Sequence, residues 1–338
     1  TTTGWTAADV GEITYQKDGS ALSAAPVDAG TYTAGITVGG QTASVTYTIR
    51  QAVPQAGDFA FSPPDTLTYD GSARTAAVAA RVGIAGMGGV TVKYYRNGVK
   101  VEQPADVGTY NVRIDVAEGK NYDAAADLTD DSWTFTIAAN ETAPAVTLSG
   151  DTTYTGGQIT PAPTVKIGST KLTEGRDYTV AYGENRDVST GGTVTITAMG
   201  NYAFSAVAES FAITPRAVTV SGITAADKIY NGSADAVLDV SGAVISGKAE
   251  GDELTVSADG TFDSKDVGTD RTVRISGLTL GGASAGNYRL AASGQQASAM
   301  AAITPAVITV TPDAGQGKTY GEKDPALTYI SAGAVNGE

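Results

Sequence analysis

The sequence predicts a mainly β chain, built from small antiparallel β modules strung end to end. Three observations carry that prediction: apolar residues alternate with period two, glycine is abundant, and one ordered set of short motifs returns roughly every 80 residues. The alternation is clearest where Tyr110, Val112, Ile114 and Val116 fall on one side of a strand and Asn111, Arg113 and Asp115 on the other. Val194, Ile196 and Ala198 alternate in the same way with Thr193, Thr195 and Thr197. Such strands have one buried and one wet face, as in antiparallel sheets packed into a sandwich or against a single helix. The 42 glycines and the 17% of charged residues suit short strands and tight turns better than long helices. Only Ala76 to Val82 and Gly242 to Ala249 offer candidates for a short helical turn.

At roughly 100 to 150 residues per domain, 338 residues amount to two to four units. Aromatic residues make up 7% of the chain, too few for one large interior. The 16 tyrosines can instead give each small module a few amphipathic anchors.

The formal charge of −14 comes from 36 Asp and Glu against 22 Lys and Arg. Nucleic acid is not an expected partner, because a phosphate backbone needs clustered cations and here they are isolated, as at Lys93 and Arg96. Cysteine is absent, which removes disulfides, thiolate metal sites and cysteine nucleophiles. No apolar run reaches the roughly 20 residues of a membrane span, so no membrane insertion is expected within this stretch. No signal peptide opens the chain at Thr1, and any export signal or wall anchor is expected outside it.

Four anchors recur in a fixed order. The first is a tyrosine before a turn: Tyr69-Asp70-Gly71, Tyr154-Thr155-Gly156, Tyr230-Asn231-Gly232 and the variant Tyr320-Gly321. The second is Asp28-Ala29-Gly30, Asp106-Val107-Gly108, Asp187-Val188-Ser189 and Asp266-Val267-Gly268, where the Asp side chain is expected to accept amides of its own turn. The third is Asn121-Tyr122, Asn201-Tyr202 and Asn287-Tyr288, read as a turn whose ring covers the end of the core. The fourth is a closing strand: Tyr47-Thr48-Ile49, Phe135-Thr136-Ile137, Phe211-Ala212-Ile213 and Ala302-Ile303.

These anchors place module boundaries at 1–51, 52–140, 141–215, 216–305 and 306–338. The first segment is the C-terminal part of a module and the last the N-terminal part. Each therefore exposes unpaired strand edges, and these halves are expected to be poorly ordered, swapped between chains, or paired head to tail by strand addition. Linkers are almost absent, and Thr214-Pro215 and Thr304-Pro305 stiffen two joints. The loosest joint is Ala138 to Pro144.

The stretch Tyr154-Thr155-Gly156, Leu172 to Val180, Gly200-Asn201-Tyr202 and Phe211-Ala212-Ile213 resembles the tyrosine-glycine repeats of large surface proteins of Gram-positive gut bacteria. The segment with Lys228-Ile229-Tyr230-Asn231-Gly232 is similar to the bacterial YDG domain, with Asn in place of the usual Asp. Lys318 to Tyr329 resembles the start of the MBG adhesin domain of YGX type. The resemblance covers nearly the whole chain. It implies a secreted or cell-surface adhesin-like protein whose repeats form a stalk, with an immunoglobulin-like sandwich or a β-grasp-like module fold and no catalytic residue. Segment 52–140 departs from the pattern at Gly83 to Gly89 and in the acidic stretch before Trp133.

Histidine is absent too, so no histidine base, triad or metal ligand exists. No cofactor and no enzymatic activity are expected. The glycine run Gly83 to Gly89 lacks the Gly-Lys-Ser/Thr of a phosphate loop and reads as a mobile hairpin loop. Asp123, Asp127, Asp130 and Asp131, and separately Glu250, Asp252 and Glu253, miss the spacing of a calcium loop and read as solvated turns. Lys93 and Lys166 are candidates for buried-strand lysines that could enter isopeptide cross-links. The recurrent tyrosines read as structural anchors; Tyr94-Tyr95, unique to one module, is the candidate ligand contact. The expected function is a structural stalk, with a host surface glycan or protein bound through variable loops as the alternative.

Overall fold

The strand Gly108–Val116 shows how the alternation is spent. Tyr110, Val112, Ile114 and Val116 are each 2% exposed or less, while Asn111, Arg113 and Asp115 line the other face. Fully burying one such aliphatic side chain stabilises a fold by about 1.5–3 kcal/mol, so a few short strands suffice for a small core. The computed structural model describes residues 9–335. Residues 1–8 of the first predicted segment and 336–338 of the last lie outside them. The chain is mainly β, with many small and mostly antiparallel sheets. Among the described residues there is no α-helix, so no sheet packs on a helix.

The chain divides into two compact units. The first holds the described residues up to Ala143, with Thr173–Thr179 and Thr197–Ser205. It opens with a sheet in the order Ser20–Leu22, Thr14–Lys17, Gly30–Val38, Gln41–Ile49. Within this sheet Tyr32 is buried, while Val45, and Ile13 just before its first strand, stay open to solvent. A second sheet runs Ala125–Ile137, Gly108–Val116, Val90–Arg96, Val99–Val101. The hairpin Phe59–Ser62 with Ala77–Ala80 shares its core. There the Tyr110 and Phe135 rings stack at 5.3 Å, and Trp133 meets Phe59 edge to face at 6.3 Å. A register shift between Thr129 and Thr134 leaves the acidic stretch outside the ladder.

The second unit holds Pro144–Leu172, Val180–Ile196 and the residues from Ala206 on. Ala145–Ser149 pairs with Ala162–Ile167, and Gly192 to Ile196 pairs with Val207–Phe211. A five-stranded sheet follows in the order Lys228–Ile229, Ser298–Thr304, Gly268–Gly281, Thr255–Phe262, Asp235–Ala236. Beside it stand Val244–Ser246, Arg216–Ser221 and Tyr288–Leu290. Two pairs are parallel: Lys228–Ile229 with the end of Ser298–Thr304, and Arg216 to Val218 with Tyr288–Leu290. Thr309–Pro312 pairs with Tyr329–Ala332 in a fully exposed ribbon.

Both expected helical turns are strands instead. Ala76 and Val78 are buried while Ala77 and Ala79 are exposed, a period of two that a run of alanines conceals. Val244–Ser246 pairs antiparallel with Thr219 to Ser221, because Ile245 faces a core of Val220, Ile223 and Ile275.

Candidate interaction site at the joints

The second and third anchors meet one another. In the first unit, Ala29 N–H donates to Asn121 Oδ1 at 2.9 Å, and Asn121 Nδ2 donates to Asp28 Oδ1 at 3.0 Å. In the same unit, Val107 N–H donates to Asn201 Oδ1 at 2.9 Å and Asn201 Nδ2 to Asp106 Oδ1 at 2.9 Å. In the second unit, Val188 N–H donates to Asn287 Oδ1 and Asn287 Nδ2 to Asp187 Oδ1, both at 2.9 Å. The sequence separations are 93, 95 and 100 residues, so each clasp joins an aspartate turn to an Asn-Tyr turn far downstream in the chain. A primary amide carries both an acceptor and donors on one rigid plane, which lets it bond a carboxylate and the following backbone amide together.

The expectation that each Asp accepts amides of its own turn is thereby corrected at these three sites. At two of them the aspartate is also held from behind, since Tyr32 and Tyr110 hydroxyls donate to the carbonyls of Asp28 and Asp106 at 2.9 and 2.8 Å. Lys120 adds an ion pair to Asp28 at 2.5 Å. Hydrogen bonds from Lys120 and Asn121 hold the Asp28 carboxyl below its ordinary value of 3.8.

Backbone bonds frame each clasp. Ala52 donates its N–H to the Asn121 carbonyl and accepts from Asp123, and Asn140 does the same between Asn201 and Ala203. Arg216 lies opposite Tyr288 in a parallel pair. The first anchor pairs with the closing strand: Tyr69 N–H donates to Ala138, Tyr154 to Thr214 and Tyr230 to Thr304, at 2.8–2.9 Å.

Tyrosines of the first and third anchors pack on one another. Tyr69 meets Tyr202 at 5.4 Å and 81°, and Tyr154 meets Tyr288 at 5.3 Å and 75°, the edge-to-face arrangement aromatic quadrupoles favour. Tyr154 and Tyr288 both donate their hydroxyls to Asp252, and the Ala249 amide donates to the Tyr288 hydroxyl. Burial first, then the Asp252 carboxylate, pushes Tyr154 up to about 12. Beside Tyr69 and Tyr202 stands Arg176, which grips Asp177 with bonds of 2.9 and 2.8 Å. Asp177 is 1% exposed and held below its ordinary value by Arg176. Gly156, with φ +86, sits where a Cβ would approach the Ala249 Cβ to 2.9 Å, so the tyrosine turn needs glycine twice over.

Other residues singled out from the sequence lie elsewhere. Tyr94 is buried, its ring 6.1 Å from Phe135 and its hydroxyl bonded to the Ala76 backbone. Tyr95 faces the opposite way, half-buried, with the Arg113 guanidinium 4.6 Å from its ring centre. Lys166 is exposed, and Lys93 is ion-paired with Asp115 at 2.6 Å and Asp127 at 3.0 Å, so neither is a core lysine. Asp130 bonds Ser132, and Asp252 is taken by the two tyrosines. Among the described residues no group of His, Cys, Asp and Glu is arranged to hold a metal ion.

The glycine run is a packed loop rather than a free hairpin. Asn121 bonds the carbonyls of Gly86 and Ala85, and a Cβ on Gly88 would lie 1.9 Å from the Ala117 oxygen. Gln295 and Gln296 escaped notice in the sequence, yet each side-chain amide bonds the strand Arg216–Ser221 or its continuation to Ile223. No periodic or motif signal marks them.

No curated protein matches the chain. Residues 214–298, the stretch that holds Asp252 and the Asn287-Tyr288 turn, match the model of the YDG domain.

Proposed function

We propose that this chain is a series of structural spacer repeats from a bacterial cell-surface, adhesin-like protein. The supporting observation is the threefold recurrence of one Asn–Asp clasp, which uses the recurrent residues to shape and join backbone rather than to react. The YDG match supports the same reading, as do the tyrosine-glycine and MBG-like motifs that suggest a Gram-positive origin. The absence of histidine and cysteine from the sequence supports a non-enzymatic role.

Screening the whole chain on arrays of host glycans and matrix proteins tests this against the binding alternative. A spacer is silent, whereas saturable binding lost on substituting a loop residue overturns the proposal. Hydrolysis of any glycan by the purified chain overturns it as well.

A further inference from the structure

A cavity of about 320 Å³ in the second unit lies where Tyr230, Asp266 and Val267 face the chain around Pro305 to Ile308 and Gly333 to Val335. Its walls correspond residue by residue to those around the Asn287-Tyr288 turn. Tyr230 answers to Tyr154, Asp266 to Asp187 and Val267 to Val188 in anchor order. Pro305 answers to Pro215, each following the closing strand, and Ile308 to Val218, each three residues further on. Gly333 answers to Gly247: φ is +98 and +93, and each approaches the backbone two residues after the matching proline, at Val307 and Ala217. Val335, two residues beyond Gly333, takes the place of Ala249, two beyond Gly247.

In the occupied site Asp187 and Val188 both bond Asn287. In the cavity the half that would receive the asparagine is preset. Arg271 bonds the carbonyls of Asp266 and Val267 at 3.0 and 3.1 Å, and Ser264 bonds Asp266 Oδ2 at 2.9 Å. Among the described residues, nothing bonds Asp266 Oδ1 or the Val267 amide.

We propose that this cavity is a docking socket for a Gly-Asn-Tyr turn presented by another β module of the same kind. Asp266 Oδ1 and the Val267 amide take the asparagine side chain. The Tyr230 ring takes the edge of the following tyrosine, as Tyr154 does with Tyr288. A second copy of this chain does not fit the role, since Asn121, Asn201 and Asn287 are all engaged within their own units. The socket stands on joint geometry alone and holds whether or not the repeats act as spacers.

The test uses the whole isotope-labelled chain and a cyclised Ser284–Leu290 peptide as the turn. In the chain alone, the Val267 amide is expected to exchange with solvent at least tenfold faster than the Val188 amide. At millimolar peptide the Val267 and Ala306 amide signals should shift saturably. The shift should weaken at least tenfold with the peptide's asparagine changed to alanine, and likewise in Asp266→Ala and Asp266→Asn chains. Four results overturn the proposal: slow Val267 exchange without peptide, meaning that the chain fills its own socket; the same shifts on raising chain concentration alone, meaning a second copy; no shift at millimolar peptide; or shifts indifferent to Asp266.

Discussion

Asn287 and Asp187, 100 positions apart in the chain, share a 2.9 Å hydrogen bond, and the Val188 amide returns another to the same side chain. Replacing Asn287 with alanine leaves the part-buried Val188 amide without its partner, at a cost of about 1–3 kcal/mol. Asn287→Asp is expected to cost more, because it puts a second carboxylate against Asp187. Hydrogen exchange at the Val188 amide should report both, accelerating more in the aspartate variant.

Tyr154 ionises at about 12, above its ordinary value of 10.0, because burial and the Asp252 carboxylate disfavour the phenolate. A group whose folded pKa is raised lends its full stability below the unfolded pKa and loses it as pH climbs through the folded one. The chain should therefore lose on the order of 2 kcal/mol between about pH 10 and pH 12. In Tyr154→Phe that step should flatten. Denaturant midpoints across the alkaline range measure it, and an unchanged slope in the variant would dismiss this role for Tyr154.

At the acid end the sign reverses. Asp28 is held below 3.8 by hydrogen bonds from Lys120 and Asn121, so its contribution is present above that value and fades as pH falls through the lowered pKa. Lys120→Ala should bring the Asp28 titration back toward 3.8, as read from its carboxyl carbon signal. An identical titration in the variant would show that Lys120 does not set it.

Gly88→Ala drives a methyl against the Ala117 oxygen, where Gly89→Ala meets nothing within 4 Å. The first should destabilise by about 1–3 kcal/mol and the second by less than about 0.5 kcal/mol. Equal melting temperatures for the two variants would contradict the packed loop.

The sequence revealed as much as local pattern can carry. Tyr110 to Val116 announced their strand, since alternation between large and polar side chains is visible without a fold. Ala77–Ala80 did not, because alanine contrasts weakly with its neighbours on either face. The anchors were legible as turns but not as partners. Asp106 and Asn201 each suit a turn on their own, and no local pattern marks that such turns bond one another across 93, 95 and 100 residues. Gln295 and Gln296 gave no sign, because a glutamine that completes a strand's ladder looks like any surface glutamine until the strand beside it is placed.

The parallel placement of first anchor and closing strand has a mechanical side. Tyr69 with Ala138, Tyr154 with Thr214 and Tyr230 with Thr304 are hydrogen-bonded where two segments run the same way, at single parallel bridges in the first two cases and in a short parallel ladder in the third. Tension applied to the chain on the outer sides of such a pairing loads it in shear, so its bonds share the load instead of unzipping in turn.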